Sequence, residues 1–295
     1  MIDVSLVPRA VPGPSDPRAA RALQPRWDRA RPRLLAAAVW LPVAQVGLVA
    51  AMVALSLAER PAGSVWHVLP VAGAVVPAVV SWARMCRSGL LDPSTWLSTA
   101  FLTHGCQLLV GVFPAFGFAL SGASPGQRLV AVALFASSWL ALVAGCVLAT
   151  RASRAVALPL VPDLGATWFR LVLGARFTLA RPDLVIATVS VERDRVAWSA
   201  RKHRSRSSGP SLSDAVALDQ IRAMWTVSLS EQDGPRPWAW LSDGTALLTT
   251  PGPAVVVRTD HREFLLPVND AETFVAMVNR RAELWFSLPR QRSAA

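Results

Sequence analysis

Residues 128–154 read RLVAVALFASSWLALVAGCVLATRASR. From Leu129 to Thr150 there is no charged residue, and Arg151 and Arg154 follow at once. A run of that length matches the roughly 20 apolar residues needed to cross a hydrocarbon core about 30 Å thick. A soluble core helix of equal length would keep a polar face. Past Arg154 the pattern changes, and β-branched residues, turn residues and charges alternate to the end of the chain.

Three earlier runs have the same character, so the predicted spans are 34–57, 65–83, 96–120 and 128–150. The connecting loops are short, which makes neighbours antiparallel and gives a compact four-span bundle over 34–150. The whole chain of 295 residues is 53% hydrophobic and only 17% charged. Soluble domains carry about a quarter. The small residues Ser56 and Ala58 follow the first run, as at a signal-peptide cleavage site. That run is longer than the roughly 7–15 apolar residues of a cleaved signal, which favours a retained span.

The charges around the runs set an orientation. Arg9, Arg18, Arg21, Arg26, Arg29, Arg31 and Arg33 precede the first run. Arg84 and Arg87 follow the second, and Arg151 and Arg154 follow the fourth. The loop 121–127 has no charge, and the loop after the first run has one acid and one base. Lys and Arg beside a span stay on the cytoplasmic side, so both termini are expected inside a bacterial cell membrane. The net charge of +11 is read as this bias. The leader 1–33, rich in Pro and Arg, is expected to be disordered.

Polar residues inside the runs are few: Gln45 in the first, His104 and Gln107 in the third. His104 and Gln107 are three apart and share a helix face. An intramembrane ionisable group is a candidate functional site, and a neutral histidine hydrogen-bonded to a neighbouring helix, with Gln45 or Gln107 as its partner, is the simpler reading. No Asp, Glu, Lys or Arg lies mid-run, which argues against an ion-coupled transporter. Ser137, Ala141, Gly145 and Ala149 form a stripe of small residues for helix packing, within the chain or with a second copy. Pro42, Pro70, Pro77 and Pro114 are expected to kink or locally open their helices. Trp82 and Trp96 fit an aromatic belt, and Cys86, Cys106 and Cys146 read as small buried apolar residues.

The segment 151–175 is a junction in which Trp168, Phe169, Leu171, Val172 and Leu173 fit a short interfacial helix or a first strand. Beyond it, 184–191 and 195–200 read as a hairpin. Further strands are expected at 217–230, 238–241, 246–250, 254–259 and 263–268. A final helix follows, capped by Asn269 or Asp270, with Phe274, Val278, Ala282 and Trp285 as its core stripe and 289–295 as a tail. Between the strands lies the basic loop 201–206, in which Arg201, Lys202, Arg204 and Arg206 are candidates for an anionic membrane surface or a protein partner. No aromatics interleave with it, which argues against nucleic acid. Asp260, His261 and Glu263 share one turn, a poor geometry for convergence.

The run Gly252-Pro253-Ala254-Val255-Val256-Val257-Arg258-Thr259-Asp260, then 264–268, then Asn269-Asp270-Ala271-Glu272-Thr273, resembles the ends of bacterial PH-like domains. Those domains occur on multi-pass membrane proteins, mostly uncharacterised ones from actinobacteria. The resemblance covers 176–288 and implies a PH-like fold, with strands followed by one C-terminal helix. Eukaryotic relatives bind phosphoinositides through basic residues in the first hairpin turn. Here that turn, Glu192-Arg193-Asp194-Arg195, is half acidic.

No phosphate-binding, dinucleotide-binding, zinc-protease or serine-hydrolase motif is present. No catalytic residue, cofactor or metal site is expected. The leading expectation is a non-enzymatic membrane anchor that displays a cytosolic PH-like domain. The alternatives are a small transporter or transporter accessory subunit, and a membrane enzyme acting on lipid or cell-wall precursors.

Overall fold

The computed structural model describes residues 7–12, 16–59, 65–121, 123–203 and 208–287. The chain divides into two units, one comprising 1–11 and 24–157, the other 12–23 and 158–295.

Among the described residues there are four helical passages long and apolar enough to cross a membrane. The first is continuous for 42 residues, Pro17–Ala58. It consists of α1 (Pro17–Leu35), a π-helical stretch (Ala36–Trp40) and α2 (Leu41–Glu59). The second is α3 (Val68–Arg87). The third joins α4 (Trp96–Cys106), a second π stretch (Gln107–Val112) and α5 (Phe113–Leu120). The fourth is α6 (Pro125–Ala157). Helix α2 packs on α3, α5 and α6, and α4 packs on α3 and α6. Val49, Met52, Leu108, Val112, Ala115 and Ala131 are buried at the centre. Large apolar side chains face outward: Leu129 is 72% exposed, Leu109 68% and Trp40 65%.

The leader is helical from Pro17, where disorder was expected. Its buried side chains are Ala19, Leu23, Trp27, Ala30 and Leu34. These recur at steps of three or four, so the arginines between them lie on the other faces. High Pro and Arg content hid an amphipathic pattern. Trp27 donates from Nε1 to the Pro8 carbonyl (2.9 Å), and its ring lies 6.5 Å from that of Trp96. Trp96 is therefore buried instead of forming part of a belt, with Nε1 bonded to the Gly89 carbonyl (2.8 Å). Trp82 is exposed. The cysteines are free, and Cys86 and Cys106 are exposed where burial was expected.

Both π stretches end two residues before a proline, Pro42 and Pro114. Leu41 N–H bonds back to the Ala36 carbonyl, and Phe113 N–H to the Leu108 carbonyl. Proline has no N–H, and its ring crowds the carbonyl four residues earlier. Widening the helix by one residue relieves that crowding. Of the expected kink or local opening, Pro42 and Pro114 thus show the opening, a wider turn.

The second unit is an antiparallel β assembly closed by one helix. Its strands are β1 (Leu171–Gly174), β2 (Val185–Val191), β3 (Arg195–His203), β4 (Ser208–Ala217), β5 (Ala223–Leu229), β6 (Pro237–Trp240), β7 (Ala246–Leu248), β8 (Gly252–Arg258) and β9 (Glu263–Leu266). They form sheets in the orders β1-β2-β3-β4, β5-β8-β9 and β6-β7. Single bridges, Ala175 to Val268 and Thr178 to Leu248, tie the sheets together. The register Val189↔Trp198 and Val191↔Val196 places alternate residues inward. Trp198 packs 4.9 Å from Phe264. The junction resolves as strand β1.

Helix α7 (Ala271–Ser287) closes the core with Phe274, Met277, Val278 and Arg281. Asp270 caps it, accepting from Thr273 N–H (3.3 Å). The expected stripe named Ala282 and Trp285. These are only half-buried, and Met277 and Arg281 take the inner positions.

Candidate functional site

Gln45, His104 and Gln107 meet inside the first unit, and all three are fully buried. They come from α2, α4 and the start of the second π stretch. His104 Nδ1 lies 2.6 Å from Gln45 Oε1. The amide oxygen can only accept, so Nδ1 carries the proton. Gln107 donates from Nε2 to the Pro42 carbonyl (3.1 Å) and to the Ala74 carbonyl (2.8 Å). One amide thereby joins the first and second helical passages to the third. His104 Nε2 and Gln107 Oε1 meet no partner in hydrogen-bond geometry. The arrangement is a set of cross-helix ties, in which buried polar groups replace lost water contacts with one another.

The stripe on α6 is used at this same place. Ala141, Gly145 and Ala149 are buried, and Ser137 is only half-buried. A Cβ at Gly145 would stand 2.5 Å from His104 Nε2. The close packing that Gly145 permits is therefore with α4 of the same chain. Spacing alone revealed Gln107 beside His104. Of the two partners expected for His104, Gln45 and Gln107, the ring bonds to Gln45; the contact with Gly145 depends on the bundle and carries no local signal. Thr99, Thr103 and Ser81, also buried in this unit, were not singled out by the sequence.

In the second unit the basic segment divides. Arg201 is exposed at the end of β3. Lys202 pairs with Asp183 (2.6 Å) and Asp243 (3.7 Å), and its side chain is only 15% exposed. It is an internal tie instead of an outward contact. Arg204 and Arg206 lie outside the described residues. Asp243 is held below the usual carboxylate range, chiefly by its hydrogen bonds from Thr245 and further by Lys202.

The turn trio does not converge. Asp260 pairs with Arg222 (2.7 Å) and Glu263 with Arg258 (2.6 Å). The hydrogen bond from Arg222 holds Asp260 below its ordinary range. A shallow polar cleft lies between Thr226, Ser228, Pro253 and the α7 start at Asn269–Glu272, with no group there that sequence or structure marks for chemistry.

Arg281 is the unexpected residue. It is fully buried on α7. Its Nε donates to the Gly165 carbonyl (2.8 Å), Nη1 to the Glu192 carbonyl (2.6 Å) and Nη2 to the Phe169 carbonyl (2.8 Å). The guanidinium also lies 5.7 Å from the Trp168 ring centre. Burial pulls its pKa down to about 10, so it stays charged at neutral pH. A Cβ at Gly165 would stand 2.0 Å from the Met277 carbonyl. Glycine there lets the 3-10 turn Pro162–Ala166 lie against α7, within reach of Arg281.

Among the described residues no group of three or more His, Cys, Asp or Glu is placed to hold a metal ion. Comparison with known proteins finds no matching family model, no similar curated protein and no similar solved structure.

Proposed function

We propose that the chain is a multi-pass membrane protein with both termini in the cytoplasm. In this reading its C-terminal unit is a PH-like domain displayed at the membrane for a protein partner or the anionic lipid surface. The observation that carries it is the outward apolar face of the first unit, with Leu109, Leu129, Leu140 and Trp40 all more than half exposed. Such a continuous apolar exterior is costly in water and favourable in lipid. A four-stranded antiparallel sheet, two smaller antiparallel sheets and one closing helix support the PH-like assignment.

The anchor reading is favoured over a transporter by the state of the polar core. Gln45 and His104 bond to each other, and Gln107 bonds to backbone, at full burial. Val49, Met52 and Val112 belong to one buried apolar cluster of the same bundle. An enzyme would need converging acid, base or nucleophile groups, and the described carboxylates of the second unit that form ion pairs do so with arginine or lysine.

Reconstitution of the full chain into lipid nanodiscs tests this. The chain is expected to co-purify with discs and to stay aggregated without lipid or detergent. A chain that is monodisperse in plain buffer would overturn the reading. Trypsin cleavage around Arg201 then separates the two kinds of contact. Protection in anionic but not neutral discs assigns the lipid surface, and equal cleavage assigns a protein partner.

A further inference from the structure

Strands β2 and β3 send their side chains alternately to the core and outward. Ala187, Val189, Trp198 and Ala200 are buried on the core side. The residues between them form the outer face, where the register sets Thr188 beside Ser199 and Ile186 beside Arg201. One row further on, the His203 N–H donates to the Leu184 carbonyl (2.7 Å). Leu184 and Ile186 therefore share a corner of this face with Arg201 and His203. Leu184 is 66% exposed and Ile186 54%, and Arg201 and His203 are exposed with them. A lone exposed apolar side chain is ordinary, whereas here two stand in adjacent rows beside a cation. The neighbouring outward residues Thr188, Ser199, Ser211 and Ser213 are uncharged. The nearby acids Asp183 and Asp243 are taken up by Lys202, which alternation turns to the other side of β3. This corner is also at the far end of the hairpin from the turn at 192–195.

We propose that this corner is a lipid-docking surface, in which Leu184 and Ile186 enter the headgroup layer of an anionic bilayer while Arg201 pairs with lipid phosphate. The inference rests on the membrane reading above and deepens it, by choosing lipid over a protein partner and by naming the face. The pattern fits that occupant: apolar side chains gain by leaving water, and a cation beside them matches the negative surface of the leaflet. Two side chains and one charge make a weak contact alone. In the proposed reading the unit is tethered to the bilayer through α6, and tethering makes weak contacts effective.

The test places an environment-sensitive dye on Ile186→Cys in the full chain, with Cys86→Ala, Cys106→Ala and Cys146→Ala removing the other thiols. Nanodiscs of phosphatidylcholine alone are compared with discs that also contain phosphatidylglycerol. The dye emission is expected to shift to the blue only in the anionic discs, and to be quenched there by lipid spin-labelled near the headgroup. High salt and Arg201→Glu are each expected to remove most of the shift. Water-like emission in both discs would overturn the docking surface and leave the membrane reading standing. An equal shift in both discs would overturn it too, since the dye then reports a contact that does not need anionic lipid. A chain that fails to enter discs overturns the membrane reading, and this inference with it. Without any dye, Leu184→Ser combined with Ile186→Ser is expected to abolish the protection of Arg201 from trypsin in anionic discs. Protection equal to the parent's would contradict the proposal.

Discussion

At position 145 a single methyl group would stand 2.5 Å from the His104 ring. Imidazole in this site is fixed on its other side by Gln45 at 2.6 Å, so it has little freedom to move away. Gly145→Ala is therefore expected to destabilise the folded chain by about 1–3 kcal/mol through overpacking. In a His104→Ala background the same change is expected to cost much less, because the space is then empty. A double-mutant cycle on unfolding in detergent measures this coupling. Additive effects would mean that Gly145 and His104 do not touch. Gln107 acts at the same scale: one side-chain amide reaching two backbone carbonyls is a helix fastener.

At the scale of elements, α7 holds the second unit together through Arg281. Three carbonyls from separate segments end on one guanidinium. Arg281→Met fills much of the volume but leaves those carbonyls buried without donors. Each unsatisfied group costs about 1–3 kcal/mol, so a loss of about 3 kcal/mol or more is expected in denaturant unfolding. Arg281→Lys is expected to recover little, since an ammonium lacks the planar fork.

The sequence made some of these elements legible and hid others. Long uncharged runs announced the four helical passages, because lipid-length apolar helices need no tertiary context to be recognised. Strand β4 was hidden: Ser208-Gly209-Pro210-Ser211 has turn composition, and only pairing with β3 makes it extended. An edge strand tolerates Pro210. Helix α1 was hidden in a similar way, because Pro25 and Pro32 argued for disorder while the steps from Ala19 to Leu34 argued for a helix face. Arg281 fell on the inner face of α7 where a pattern of apolar residues has no place for a charge. The partners that make it tolerable lie more than a hundred residues away in two of three cases.

At the scale of the molecule, the arginines are distributed unevenly about the first unit. Arg26, Arg29, Arg31 and Arg33 on α1 precede the first apolar passage. Arg84 and Arg87 end α3, and Arg151 and Arg154 end the fourth passage. Alternating helix directions bring all three groups to one pole of the bundle. The positive-inside bias is the ground on which the proposed reading puts that pole in the cytoplasm. Cys86 lies exposed at this pole, in the last turn of α3. With Cys106→Ala and Cys146→Ala in place, Cys86 is the sole thiol, and a membrane-impermeant maleimide reports its side. It is expected to be labelled in sealed inverted vesicles and protected in sealed right-side-out vesicles. Labelling in right-side-out vesicles, with protection in inverted ones, would contradict the proposed cytoplasmic placement of both termini and of the C-terminal unit.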